Sequence, residues 1–342
     1  MAKQSTSLRT YFLTRVALAI PMLLILLTLV FLLMRVAPGN PITAALGGRL
    51  PEAELRLRSH QAGYDRPLLV QYVDYIGQVA RLDFGTTITD HRPVTQVIVQ
   101  NGAATLELTF FAMVVATVVG LSLGLVAGRY RDGPLDLGAR LFSIVIYAAP
   151  VFFLGFIAQL VFGKWLNWLP TSGRASPLVT FELRTHTNLF VVDSIIDRNW
   201  SALADVLKHL IMPATVLGLV IGGVFVRLVR VNLIQTLKGD YVEAARARGI
   251  SERGVVFRHA FKNALVPVIT VMGLQFALLL AGAVLTEETF NWPGIGAELV
   301  RYLNNRDYIA VQGIITFTGI VVVIVSLLID ILNAWVDPRV RY

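Results

Sequence analysis

Apolar residues in this chain gather into six uncharged runs: Val16–Met34, Leu108–Gly128, Leu141–Gly163, Leu210–Val226, Asn263–Thr286 and Tyr308–Ile329. Each is long enough, or nearly so, to cross a hydrocarbon layer of about 30 Å as a helix. The fourth is the shortest. It is expected to continue through Arg227 and Arg230, whose long side chains can carry their charge to the surface. The first run is too long for a signal peptide and no A-x-A site follows it. The pattern predicts an all-α polytopic membrane bundle of six transmembrane helices.

The connections between the runs differ in charge. Basic residues crowd the N-terminus (Lys3, Arg9, Arg15), the second connection (Arg129, Arg131, Arg140), the fourth (Arg227, Arg230, Lys238, Arg246, Arg248, Arg253, Arg258, Lys262) and the C-terminus (Arg339, Arg341). The other connections also carry acids: Glu52, Glu54, Asp65, Asp74, Asp83 and Asp90; Glu182, Asp193, Asp197 and Asp205; Glu287, Glu288, Glu298 and Asp307. Lys and Arg near spans mark the cytoplasmic side, so both termini are expected inside. Composition agrees. Of 342 residues 55% are hydrophobic and 15% charged, against about 25% charged in soluble domains. The net charge of +8 follows from topology and implies no nucleic-acid partner. With no cysteine, disulfides and thiolate metal sites are excluded.

Three regions follow: a cytoplasmic N-terminus with the first span (1–35), an external helical region (36–104) and a five-span core (105–342). In the external region Pro38-Gly39-Asn40-Pro41 breaks the chain. Pro51–Arg58 reads as a short helix opened by Pro at N1, and Asp65-Arg66-Pro67 as a turn. Leu68, Leu69, Tyr72, Val73 and Ile76 then recur at helical spacing, predicting an amphipathic helix on the outer surface that Leu82-Asp83-Phe84-Gly85 ends. In the core, Gly120, Gly124 and Gly128 form a small-residue row suited to close helix packing. Pro150, Pro213 and Pro267 are candidate kinks. Trp165 and Trp168 are placed as interfacial anchors.

The most informative polar stretch is Asp240–Pro267. Asp240 and Glu243 have capping-box spacing. Tyr241–Arg248 is rich in helix formers, Gly249 suits a left-handed C′ position, and Ser251 can cap a second helix with Glu252 in its first turn. Glu243-Ala244-Ala245, Gly249 and Leu265-Val266-Pro267 resemble the EAA loop of ATP-binding-cassette (ABC) importer permeases. Glu288-Thr289-Phe290-Asn291-Trp292-Pro293-Gly294-Ile295-Gly296 and the Asp337–Tyr342 ending resemble B-type permease subunits of dipeptide, oligopeptide, nickel and glutathione importers. The Trp-Pro-Gly run reads as a tight turn whose two glycines allow positive φ. The long gap from Gly249 to Pro267 is usual for the peptide-type group. The stretch 178–199 supports no inference about cargo.

The resemblance implies a type I ABC importer permease fold in a bacterial cytoplasmic membrane. It also implies a coupling helix, within a loop at 236–267, that docks on a cytoplasmic ATPase through Asp240, Tyr241, Glu243, Ala244, Ala245, Arg246, Gly249 and Ile250. Glu288, Phe290, Trp292, Pro293, Gly294 and Gly296 carry the external-loop motif. Implied partners are a second related permease, two ATPase subunits, an extracytoplasmic substrate-binding protein and membrane lipid. Peptide is the expected cargo, with nickel or glutathione as alternatives, carried by alternating access. The chain itself is expected to bind no cofactor, ATP and Mg residing on the partner subunits.

The residues argue the same way by omission. The sequence has no G-x-x-x-x-G-K-[ST] and no H-E-x-x-H. His60, His91, His186, His209 and His259 do not pair at ligand spacing, and no metal site is expected. No Asp, Glu, Lys, Arg or His falls inside the six runs, where a proton- or sodium-coupled carrier usually needs one. A single-chain secondary transporter would also be expected to show inverted repeats. An intramembrane enzyme would need a base for Ser122, Ser143 or Ser326, and no span contains a histidine. No catalytic residue is therefore assigned, and no substrate-binding residue either.

Overall fold

The computed structural model of the chain describes residues 8–36, 51–61, 63 and 65–336. The expected break at Pro38–Pro41 and the Asp337–Tyr342 ending lie outside the described residues. The helices are α1 (Leu8–Val36), α2 (Glu52–Gln61), α3 (Leu68–Ala80), α4 (Val94–Arg129), α5 (Pro134–Ala148), α6 (Val151–Trp165), α7 (Pro177–Glu182), α8 (Phe190–Ile196), α9 (Trp200–Thr236), α10 (Asp240–Ala247), α11 (Glu252–Leu280), α12 (Val284–Thr289), α13 (Ile295–Asn304) and α14 (Tyr308–Val336). Among the described residues there is no β-strand, only an isolated bridge between Thr86 and Pro93. The fold class is all-α.

Five helices are long and apolar enough to cross a membrane: α1, α4, α9, α11 and α14. The third apolar run is not one straight span. It forms α5 and α6, bent by 101°. Proline explains the elbow. Pro150 has no N–H to continue α5, and its ring pushes the preceding residue out of the helical region. Ala149 is extended at φ −76°, ψ 132°. Pro150 was expected to kink a span and instead divides it, while Pro213 and Pro267 sit inside continuous helices. The fifth run is also redrawn. Its helix starts at Glu252, passes through a π-helical stretch at Val255–Ala260, and ends at Leu280. Gly282 (φ +119°) then turns the chain, and Thr286 belongs to α12.

The centre of the bundle is the α4–α9 pair. Gly120, Gly124 and Gly128 lie against Phe225, Val229 and Leu233. A β carbon on Gly124 would stand 2.6 Å from Val229 Cβ, and one on Gly128 2.8 Å from Leu233 Cδ2. The fit is reciprocal, because Gly218 of α9 lies on the Ala112 carbonyl of α4, 2.6 Å from where its own β carbon would be. Successive contacts climb both helices in the same direction, so α4 and α9 are parallel. Two parallel spans require one crossing between them, and the α5–α6 pair makes it. This gives six crossings. Small residues on both helices let the backbones approach closely, as in lipid-embedded helix pairs.

Around this pair, α11 packs on α9 and α14, and α14 on α1. Arg15 and Asp330 tie α1 to α14 at 3.1 Å. Asp307, fully buried, begins α14 and accepts from the amides of Ile88 and Thr89 at 2.6 and 2.9 Å. It thereby fastens the 86–93 turn to the bundle. In the region after α1, Pro51 precedes α2 instead of opening it, its carbonyl accepting from Glu54 and Leu55. Helix α3 forms as expected, but of its apolar row only Tyr72 and Ile76 pack inward. Gln71, Tyr72, Tyr75 and Val79 turn inward, whereas Leu68, Leu69 and Val73 are exposed.

Candidate functional site

Between α9 and α11 the polar stretch forms a compact helix–turn–helix. The capping box is not formed. The chain enters one residue earlier than the pattern suggests: extended Gly239 is the N-cap, its carbonyl accepting from Val242 and Glu243 at 2.8 and 3.3 Å. Asp240 therefore stands inside the first turn, where its charge faces the positive end of the helix dipole. The far end of α10 closes as a Schellman motif. The Ile250 amide donates to the Ala245 carbonyl at 3.3 Å and the Gly249 amide to Arg246 at 2.9 Å. Gly249 takes φ +76°. Ser251 caps the start of α11, its hydroxyl accepting from Gly254 N–H. Arg246 Nε and Glu252 Oε1 meet across the turn at 2.8 Å.

Helix α10 has two faces. Val242 and Ala245 are buried among Leu233, Val255, Ala260 and Ala264, with Leu125, Leu237, Ile250 and Phe261 around them. On the opposite face Asp240, Glu243, Ala244 and Ala247 are exposed, flanked by Tyr241 and Arg248. Of the expected docking residues, Asp240, Tyr241, Glu243, Ala244 and Arg246 are thus outside. Ala245 is inside, Ile250 is half-buried, and Gly249 shapes the turn. Ala247 joins Ala244 in the small flat patch and was missed by the sequence reading. Helical spacing from Ala244 would have found it.

The external-loop motif lies at the other end of α4. Trp292 is fully buried, its indole Nε1 donating to the Ala104 carbonyl at 2.9 Å. Phe290 is buried, Glu288 is exposed, and the Pro293 carbonyl accepts from Asn101 at 2.9 Å. The two glycines do not take positive φ. Gly294 has φ −87°, and the left-handed residue is Asn291 at φ +47°. Gly294 and Gly296 matter because β carbons there would collide with the Glu287 carboxylate. That carboxylate is buried at the start of α13, accepting from Thr105 Oγ1 at 2.7 Å and the Ala297 amide at 2.8 Å. Burial pushes the Glu287 carboxyl above its usual range, while these donors pull it back.

Beside it, buried Glu107 of α4 meets Arg174. Its other oxygen accepts from the Val191 amide at 2.7 Å. The Arg174 guanidinium also donates to the Asn188 carbonyl and lies 3.9 Å from the Phe190 ring centre. Burial pulls Arg174 below its usual range, and Glu107 opposes this. Buried Asp193 accepts from the Thr187 amide and hydroxyl. Sequence reasoning placed Asp193 and Glu287 in the external connections and did not single out Glu107 or Arg174. Glu107 precedes Leu108 and Glu287 follows Thr286, so the membrane-sided helix ends extend past the runs that defined them.

Comparison with known proteins places this geometry. Residues 120–342 match the model for "binding-protein-dependent transport system inner membrane component", and residues 8–109 match that for the N-terminal part of such membrane components. The chain is 38% identical to the di/tripeptide transport system permease of Pseudomonas aeruginosa, over 96% of this chain and 97% of that protein. It is 34% identical to the dipeptide permease of Alkalihalophilus pseudofirmus and 34% to the glutathione permease of Salmonella choleraesuis. Each match covers 97% of this chain and 99% of the relative.

Proposed function

The chain belongs to the family of inner membrane components of binding-protein-dependent transport systems, and from that premise we propose that it is one of two permeases of an ATP-driven peptide importer. Two separate cytoplasmic ATPases carry ATP and Mg, one of them seated on α10. A related permease completes the pore, and a binding protein delivers cargo on the far side. Helix α10 and both termini then lie in the cytoplasm.

The single observation that carries the coupling role is the two-faced α10. Its inner face is packed on α9, α11 and Leu125 of α4. Its outer face offers two alanines, where a partner backbone can approach closely. A push on α10 therefore reaches three spans at once. Because the glycine contacts lock α4 to α9, those two tilt as one body, and the pore opens alternately to each side.

Ala244→Asp and Gly249→Val test this. The first puts bulk and an unpaired charge on the contact face. The second places a β-branched residue at positive φ, where such a side chain is strained and glycine is not. Both variants should insert and pair with the second permease, yet lose the ATPases or uncouple hydrolysis from uptake. Wild-type uptake in both, with ATPases bound, would sink the proposal.

Cargo is read from the relatives. The di/tripeptide and dipeptide permeases favour short peptides, and the Salmonella relative keeps glutathione as a second reading. Uptake of a labelled dipeptide, competed by unlabelled dipeptides or by glutathione, separates the two.

A further inference from the structure

We propose that α3 is embedded in the outer leaflet of the membrane, with acyl chains covering its exposed edge at Leu69 and Val73. The assignment to the outer leaflet rests on the orientation proposed above; the embedding does not.

Depth is the first argument. Tyr72 Oη bonds to Thr28 Oγ1 of α1, and Tyr75 Oη to Thr316 Oγ1 of α14, each at 2.7 Å. At about 1.5 Å per residue, Thr28 lies roughly 12 Å below the end of α1, and Thr316 about the same distance below the start of α14. Two spans thus hold α3 well below their own ends. Phe31 of α1 fills the space between, its ring centre 5.3 Å from Tyr72 and 5.8 Å from Tyr75.

Exposure is the second. Leu69 is 80% exposed and Val73 68%. They share one edge of α3, a quarter-turn from the face that grips the spans. At the same depth α1 exposes Leu29, Leu32 and Leu33, and in a transmembrane helix such residues meet lipid. The apolar edge of α3 continues that belt.

The third is polarity. The opposite flank, with Asp74 and Gln78, lines a polar cleft of about 610 Å³ together with Arg35, Arg66, Arg81 and Asp83. Arg66 pairs with Asp74 at 3.4 Å. The flank with Asp74 and Gln78 thus faces charge and water, Val73 stands at the rim of that cleft, and the edge at Leu69 carries hydrocarbon, the arrangement of a helix lying about 5–10 Å into the headgroup–acyl boundary.

The chain contains no cysteine, so Leu69→Cys, Val73→Cys and Gln78→Cys can each carry a single environment-sensitive fluorophore. The assembled transporter is placed in vesicles of phosphatidylethanolamine and phosphatidylglycerol. Quenching by lipids with a nitroxide at acyl carbon 5 is compared with quenching by aqueous iodide. At positions 69 and 73 the lipid quencher should win by about threefold or more, and at position 78 iodide should win, as expected for a shallowly buried face. Iodide quenching at 69 and 73 equal to that at 78 would put this edge in water. Protection from both quenchers would put a protein partner on it. Either result overturns the proposal, and neither bears on whether α10 docks an ATPase.

Discussion

Arg174 places Nε at 2.9 Å and Nη2 at 2.8 Å from a single oxygen of Glu107, and both side chains are almost dry. A pair of this kind is costly to break from one side, because the remaining charge is left buried. Arg174→Met should therefore cost about 3–5 kcal/mol, whereas the double change Glu107→Met with Arg174→Met should cost much less. Thermal unfolding of the purified complex measures both. A double variant as unstable as the single would mean that the pair stabilises by itself.

Close approach of α4 and α9 gives a second expectation. Gly124→Leu drives a side chain into Val229 and should destabilise by about 1–3 kcal/mol or more. Gly138 of α5 has nothing within 4 Å of where a β carbon would stand, so Gly138→Leu should be silent. Melting temperature and membrane yield of the two variants decide the point.

The faces of α10 make a third. Ala247→Glu, on the outer face, should leave the permease pair intact and abolish transport-coupled ATP hydrolysis. Ala245→Glu should damage the fold itself, since it buries a charge in an apolar cluster. If Ala245→Glu folds and Ala247→Glu transports normally, the faces have been assigned the wrong way round.

Sidedness can be read with membrane-impermeant maleimides. His186→Cys lies on the exposed segment before α8, and Arg253→Cys at the start of α11. In right-side-out vesicles the first should react and the second should not, and inversion of the vesicles should reverse the result.

Much of this was legible in the sequence, and the misses have physical causes. The six crossings, the small-residue row and the glycine turn at 249 follow from local pattern. The elbow at Pro150 was underestimated because proline's effect depends on what packs against both arms. Here Gly155 sits on Thr289 and Phe290. The glycines after Trp292 were read for backbone freedom, yet they make room for the Glu287 carboxylate. That contact joins residues whose neighbourhood only the turn itself creates. Glu107 and Arg174 are separated by 67 positions, and nothing in either local sequence announces the other.

The glycine at the end of α10 differs in kind from those between α4 and α9. At Gly249 there is open space where a β carbon would stand, and the demand is on φ alone. At Gly124 the helical backbone accepts any residue and the demand is on space. The two sites should therefore respond in opposite ways to mirror-image chemistry. D-alanine introduced at 249 by protein semisynthesis prefers the positive φ found there and should preserve the turn, where L-alanine strains it. At 124 either hand should fail, since one collides with α9 and the other opposes the helix that carries it. The chirality that residue 249 tolerates is thus a direct reading of whether the turn passes force through its backbone or merely fills a gap.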